Sequence, residues 1–289
     1  MADVAGMRSP YRSTSDTFDL DDLVSKDPFK QFENWFDLAR SHPRIEEANA
    51  MALATATKDG MPSVRMVLMK GYDHSGFQFF TNHGSRKSSE INENPKCSIM
   101  FYWEPLKRSV RIEGKVERMS EEYSTTYFHS RPRTSQLGST SSQQSTVVES
   151  RQCLKDKYEE LIEEYKDDDK IIPKPVFWGG YLVKPSSFEF WQGQTNRLHD
   201  RLKFRLQKDE EVTDPKLTHV ADDGWVIERL LIFFRGGYLV KPSSFEFWQG
   251  QTNRLHDRLK FRLQKDEEVT DPKLTHVADD GWVIERLSP

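Results

Sequence analysis

The segment TNRLHDRL sets Arg197, His199 and Arg201 at alternate positions, so an extended backbone turns these three towards one face and Leu198 towards the other. Three groups able to carry positive charge then converge on one place. The competing reading is a solvated strand face whose arginines are balanced by nearby acids, since structural ion pairs are common. In SVRMVLMKG, Arg65 and Lys70 interrupt an apolar strand, where charge is rarely buried without a partner. Their odd separation assigns them to opposite faces and to different anions, unless Gly71 bends the strand end. FFTNHGSRKSSE brings Thr81, Ser85, Arg86 and Lys87 to a strand-to-helix junction, where backbone donors, the helix dipole and cationic side chains favour a phosphate. YFHSRPRTSQ adds Tyr127, Arg131 and Ser135, the donor set for a second phosphate. Each cluster alone reads as surface; four of them in a chain of net charge −4 point to two phosphate sites.

The elements that must hold these groups follow from periodicity and punctuation. Asp27-Pro28 opens a helix whose buried stripe is Phe29, Phe32, Phe36 and Ala39. From Ala50 to about Met119, short apolar alternations separated by KDG, DHSG and NENP predict an antiparallel sheet or barrel. SRKSSEINENP interrupts it with a short helix, and SEEYSTTYFHSRP is another, ended by Pro132. The Ser-rich SQLGSTSSQQSTVV reads as a loop. Arg151 to Lys166 is helical, with Leu154, Tyr158, Leu161, Ile162 and Tyr165 on one side, before Pro173 and Pro175 return the chain to strands. The fold class expected is mainly β with peripheral helices.

Gly179 to Leu230 recurs letter for letter as Gly236 to Leu287, separated by Leu231 to Arg235. Solenoid repeats drift at surface positions because only packing ties them to the fold. Here even QKDEEVTD is unchanged, which points to a recent tandem duplication or to an aberrant transcript; sequencing the mature message decides between them. The expected division is a flexible lead over 1–26, a main domain over 27–178, copy one over 179–230, an insert over 231–235 and copy two over 236–289. A lone unit of some fifty residues has little core, so one copy should dock while the other packs loosely. The short connection from KPVFWGG favours copy one.

Composition narrows the partners. A chain that is 30% charged but net acidic does not coat nucleic acid, so anions must be met by local clusters. Cys97 and Cys153 suggest neither a disulfide framework nor a metal site, and no metal is expected. No apolar run approaches a membrane span and no signal core is visible, so a cytoplasmic protein without membrane contact is expected.

ARSHPRIEEANAMALATATKDGMPSVRMVLMKG, GFQFFTNHGSRKSSEINENP, FYWEPLKRSVRIEG, YFHSRPRTSQLG and FEFWQGQTNRLHDR stand in one order along the chain. Together they resemble the pyridoxamine 5′-phosphate oxidase family, from about Asp27 to Pro289 excepting the extra unit. The resemblance implies an FMN-binding split β-barrel working as a homodimer, with flavin at the subunit interface. It implies oxidation of pyridoxamine 5′-phosphate or pyridoxine 5′-phosphate to pyridoxal 5′-phosphate, with oxygen reduced to hydrogen peroxide. By motif position, Arg65, Met66, Val67 and Leu68 would hold FMN, with Phe80, Thr81, Arg86 and Lys87. Gln144, Ser145, Trp191 and Arg201 complete that set. Lys70, Tyr127, Arg131 and Ser135 would grip the substrate phosphate. Arg197, Leu198 and His199 would lie at the substrate ring, with Arg197 and His199 as the catalytic pair. Copy two offers Trp248, Arg254, His256 and Arg258 as counterparts. Ser109 departs from the family, which usually has Gln there; a lost hydrogen bond would cost roughly 0.5–1.5 kcal/mol of cofactor affinity unless water replaces it. Two other readings compete: a non-catalytic FMN- or pyridoxal-phosphate-binding protein inactivated by the duplication, and another split-barrel enzyme such as a flavin reductase.

Overall fold

The computed structural model describes residues 17–142, 144–194, 199–208, 211, 213–230, 239–251, 256–265 and 268–289. Helix α1 (Pro28–Arg40) is capped by Asp27, whose carboxylate accepts from the Phe29 amide at 2.9 Å, with Pro28 in the first turn where a missing N–H costs nothing. Phe29, Phe32 and Ala39 are buried as their spacing requires. Phe36 is only half-buried, and Trp35 joins the core instead.

Ten strands follow the alternation: β1 (Ala50–Ala56), β2 (Pro62–Leu68), β3 (Gly71–Asp73), β4 (Gly76–Asn82), β5 (Lys96–Trp103), β6 (Arg108–Arg118), β7 (Trp178–Gln192), β8 (Asp200–Leu206), β9 (Thr218–Val220) and β10 (Trp225–Arg229). They form one sheet in the order β2-β1-β5-β6-β7-β8-β10-β9, with β3 paired to β4 off that path. Four helices accompany them: α2 (Arg86–Glu93), α3 (Glu121–Ser130), α4 (Arg133–Ser141) and α5 (Arg151–Glu164). Copy two makes its own four-stranded sheet from β11 (Ser244–Gln249), β12 (Asp257–Leu263), β13 (Thr275–Val277) and β14 (Trp282–Arg286), in the order β11-β12-β14-β13. None of the described helices is long and apolar enough to cross a membrane.

The chain divides into two compact units. The first takes the described residues of Met1–Phe79, Glu93–Glu117 and Leu182–Arg235; the second takes those of Phe80–Asn92, Arg118–Tyr181 and Gly236–Pro289. Aromatic rings fill the first: Phe32 meets Phe77 and Phe101 at centroid distances of 5.0 and 5.1 Å, and Trp35 stands edge-on to Phe190 at 5.3 Å. Gly76, at φ +140°, is required there, because a Cβ would lie 2.1 Å from the Val183 carbonyl oxygen. The second unit is centred on Phe128, Leu137, Leu161, Ile172 and Trp178.

Three expectations are corrected. The Ser-rich stretch is not a loop at its start: α4 forms because Leu137 reaches the core, while Ser139, Thr140 and Ser141 turn their hydroxyls onto the carbonyls of Ser135, Gln136 and Gly138 within the helix. Ile162 faces solvent; Leu154 and Leu161 carry the buried side of α5. Residues 17–26, expected within a flexible lead, are tied down in part: Phe18 is buried against Trp35 and Asp19 caps a 3₁₀ turn over Leu20–Asp22 with a reciprocal capping box.

The two copies share local structure and differ in environment. Ser187↔Arg205 through Gln192↔Asp200 in copy one match Ser244↔Arg262 through Gln249↔Asp257 in copy two, pair for pair. Yet Phe190 is fully buried while Phe247 is 62% exposed. Copy one is the one built into the large sheet, its β7 lying beside β6.

Candidate functional site

The junction of β4 and α2 gathers, within the second unit, several of the residues the sequence offers to a phosphate. Lys87 is buried, and its Nζ donates to Thr81 Oγ1 at 2.9 Å, Ser85 Oγ at 3.0 Å and Gln144 Oε1 at 2.7 Å. A buried ammonium needs such acceptors to offset its desolvation. The junction itself is tied by Asn82, whose Oδ1 accepts from the Gly84 amide at 2.7 Å and whose Nδ2 donates to the Ser142 carbonyl at 3.2 Å. Arg86 stays on the surface, its Nε 2.8 Å from Glu90 Oε1. Thr81, Ser85, Lys87 and Gln144 are thus brought together, although Gln144 is 57 residues from Lys87. Ser145 beside them holds a left-handed φ of +72°. An ammonium, two hydroxyls and an amide at a helix start fit a phosphate monoester such as the one FMN carries.

The second predicted cluster lies where α3 meets α4. Arg131 Nη2 donates to the Ser135 carbonyl and to Ser139 Oγ, both at 2.9 Å, and its guanidinium lies 4.7 Å above the Trp178 ring centre. Tyr127 stacks on Phe80 at 4.0 Å, and Phe80 on Trp178 at 5.3 Å. Tyr127, Arg131, Ser135 and Phe80 therefore form one aromatic-backed cationic patch within this unit.

The remaining predicted residues belong to the first unit. Arg65, on β2, turns its guanidinium back onto Thr55 Oγ1 at 2.6 Å and the Leu53 carbonyl at 3.1 Å, with Ser63 as a further acceptor. Met66 is exposed on the same strand, with Val67 and Leu68 half-buried. Lys70 lies past the end of β2, so the opposite-face argument fails: it is exposed, and its amide donates to the Gln78 carbonyl at 2.8 Å. Trp191 and Arg201 are cross-strand partners, and His199 lies against the Trp191 ring at 5.1 Å. The Gln194 amide donates to His199 Nδ1 at 2.9 Å, which leaves the neutral imidazole its proton on Nε2. Arg197 and Leu198, like Arg254, lie outside the described residues. Ser109 is half-buried on β6 opposite Tyr102.

Two groups escape a reading by motif. Glu189 accepts from Arg201 Nη2 and Arg111 Nη2, each at 2.7 Å; its signal was a lone acid alternating with Phe188 and Phe190. His83 lies edge-on to Tyr181 at 5.2 Å and close over Gly179, where a Cβ would come 2.7 Å from His83 Cε1 and force the ring to shift. Burial first, then Arg118 and Lys174, push the His83 imidazole down to about 4. The unfolded chain therefore takes up a proton on His83 that the folded chain refuses between about pH 6.5 and 4. Stability should be intact above that window and fall through it, by on the order of 1–2 kcal/mol once screening at a half-buried ring is allowed for. Urea melts of His83→Gln should show a correspondingly flatter dependence between pH 6.5 and 4 than the parent; an unchanged slope would remove His83 as its source.

Residues 40–164 match the family described as pyridoxamine 5′-phosphate oxidase. Both copies, at 178–231 and 236–289, match the pyridoxine 5′-phosphate oxidase C-terminal dimerisation region. A pyridoxine/pyridoxamine 5′-phosphate oxidase of Bombyx mori is 52% identical over 228 residues, covering 79% of this chain and 89% of its own. A pyridoxine-5′-phosphate oxidase of Bos taurus is 50% identical over 230 residues, covering 79% and 87%. Among solved structures, PhzG from Burkholderia lata 383, in complex with tetrahydrophenazine-1-carboxylic acid, superposes with a TM-score of 0.65 at 26% identity, covering 76% of this chain and all of its own.

Proposed function

The chain belongs to the pyridoxamine 5′-phosphate oxidase family, and on that premise we infer that it oxidises pyridoxamine 5′-phosphate or pyridoxine 5′-phosphate to pyridoxal 5′-phosphate with FMN as cofactor. The observation that carries this reading is about 50% identity to oxidases of that name across most of both chains. The geometry agrees in kind: two cationic clusters, at Lys87 and at Arg131, suit a reaction whose cofactor and substrate each carry one phosphate.

On this reading Lys87, Thr81, Gln144 and Ser145 hold FMN, with Arg86, Phe80 and the β2 residues Arg65 to Leu68, and with Trp191 and Arg201 or their copies Trp248 and Arg258. Lys70, Tyr127, Arg131 and Ser135 hold the substrate phosphate. FMN when bound supplies a hydride acceptor. The protein's task is then mainly alignment of two flat rings. Arg197 polarises and covers the substrate ring, and His199, with its proton on Nε2, orients it as a hydrogen-bond donor. Arg254 and His256 are their counterparts, and the Gln251 amide meets His256 Nδ1 at 3.0 Å in the same way. Oxygen is the terminal acceptor and leaves as hydrogen peroxide. The protein works as a homodimer through its dimerisation region. The reading keeps residues 27–178 as the flavin domain and the copies as C-terminal segments, and it places the protein in the cytoplasm, consistent with the unbridged Cys97 and Cys153.

The test is oxygen uptake by the FMN-loaded chain on adding pyridoxamine 5′-phosphate, with aldehyde and peroxide measured together. Stoichiometric aldehyde and peroxide are expected. Ligand binding without oxygen consumption would reduce the protein to a binding function.

A further inference from the structure

The two identical copies place the same arginine in two settings. Arg201 gives Nε and Nη2 to the two carboxylate oxygens of Glu189, at 3.1 and 2.7 Å, and Arg111 shares that carboxylate. Arg258 keeps the equivalent Nε contact, to Glu246 Oε1 at 2.8 Å, but sends Nη1 to Ser145 Oγ at 3.2 Å and to the Ser288 carbonyl at 2.8 Å. Ser145 follows Gln144, which accepts from Lys87. Arg258 therefore stands one residue from the phosphate cluster, within the same compact unit.

The contact is built into the backbone. Val147 bridges to Leu287, the Val148 amide donates to the Arg286 carbonyl at 2.9 Å, and the Ser288 amide donates to the Thr146 carbonyl at 2.7 Å. The Ser145 amide donates to the Ser288 carbonyl at 3.0 Å, which helps hold Ser145 at its left-handed φ. Ser142 Oγ meets Ser288 Oγ and the Pro289 carbonyl, each at 2.7 Å, and Arg151 pairs with Asp257 at 3.4 Å. The Ser288 and Pro289 part of this seam has no counterpart in copy one, where Leu230 is followed by Leu231. Trp248, the cross-strand partner of Arg258, lies 4.9 Å from the His256 ring and is 59% exposed, so its face is open to a flat ligand.

We propose that copy two, and not copy one, supplies the cofactor-site arginine of this chain: Arg258, joined through Ser145 and Gln144 to Lys87, completes the FMN site in cis. The assignment rests on the proposed function for the identity of the ligand. It divides the labour of the repeat: copy one builds the core of the first unit, where its arginine is consumed by the Glu189 clamp, and copy two builds the site of the second.

The test is titration of the apo-chain with FMN, followed by flavin fluorescence, in the parent, R258A and R201A. R258A should weaken FMN binding roughly tenfold or more, as for a lost charge-assisted hydrogen bond, while its apo melting curve stays cooperative. If R258A does not fold, R258Q takes its place, since it retains a donor for the Ser288 carbonyl; the same loss is expected. A parent that binds FMN and a folded R258A or R258Q that binds it equally well overturn the assignment alone, as does affinity lost in R201A and kept in R258A. A parent that binds no FMN overturns the proposed function together with it.

Discussion

Phe190→Ala should destabilise the protein by about 3–5 kcal/mol, while Phe247→Ala, the same substitution in the same sequence context, should stay within about 0.5 kcal/mol. Phe190 has no exposed surface and packs edge-on against Trp35 at 5.3 Å and Phe204 at 5.6 Å. Truncation there removes the ring's transfer energy and leaves a cavity that a two-sided aromatic core cannot close. Phe247 is mostly in water and, among the described residues, keeps a ring contact with Phe261 at 5.6 Å. Against a typical domain stability of about 5–15 kcal/mol, the first loss is a large fraction of the whole. Thermal and urea melts of the two variants decide the matter. Equal losses would mean that the copies exchange places, so that each Phe is buried part of the time.

The second large effect concerns turnover. With Arg197 and Arg254 both replaced by Ala, FMN should remain bound while kcat falls about a hundredfold or more, the usual consequence of losing a charged group that positions and polarises the reacting ring. In sequence, each arginine falls between the two ends of the same contact, an amide from Gln194 or Gln251 to the Nδ1 of His199 or His256. The single variants carry further information. If copy two serves the site, Arg254→Ala alone reproduces most of the double loss and Arg197→Ala little of it. Unchanged turnover in the double variant would remove both arginines from the mechanism.

Much of the candidate site is legible in the sequence because its donors are local along the chain. Thr81, Ser85 and Lys87 fall within seven residues at a strand-to-helix boundary, and the structure joins their side chains directly. Arg131 and Ser135 are four residues apart, across the α3–α4 junction, and meet through a carbonyl. Gln144 was named only through the family motif, since its 57-residue separation from Lys87 gives periodicity nothing to read. Parity along SVRMVLMKG does not place Lys70, because a parity argument holds only while the strand continues, and β2 ends at Leu68. The α4 helix is not legible in its composition, because serine signals loops until a neighbouring side chain, here Leu137, finds a core.

The repeat separates the two levels most cleanly. By itself the sequence determined the strands, the register and the hairpin contacts of both copies, since side-chain alternation and the His199 and His256 turns come out alike. It also determined the family, because motifs and their order are written in the chain. Only the tertiary structure decided that Phe190 would be buried and Phe247 exposed, and that Arg201 would close on Glu189 while Arg258 reached Ser145. Burial and partnership are relations with distant surfaces, and two identical segments attached at different points of one chain cannot both reach the same surface.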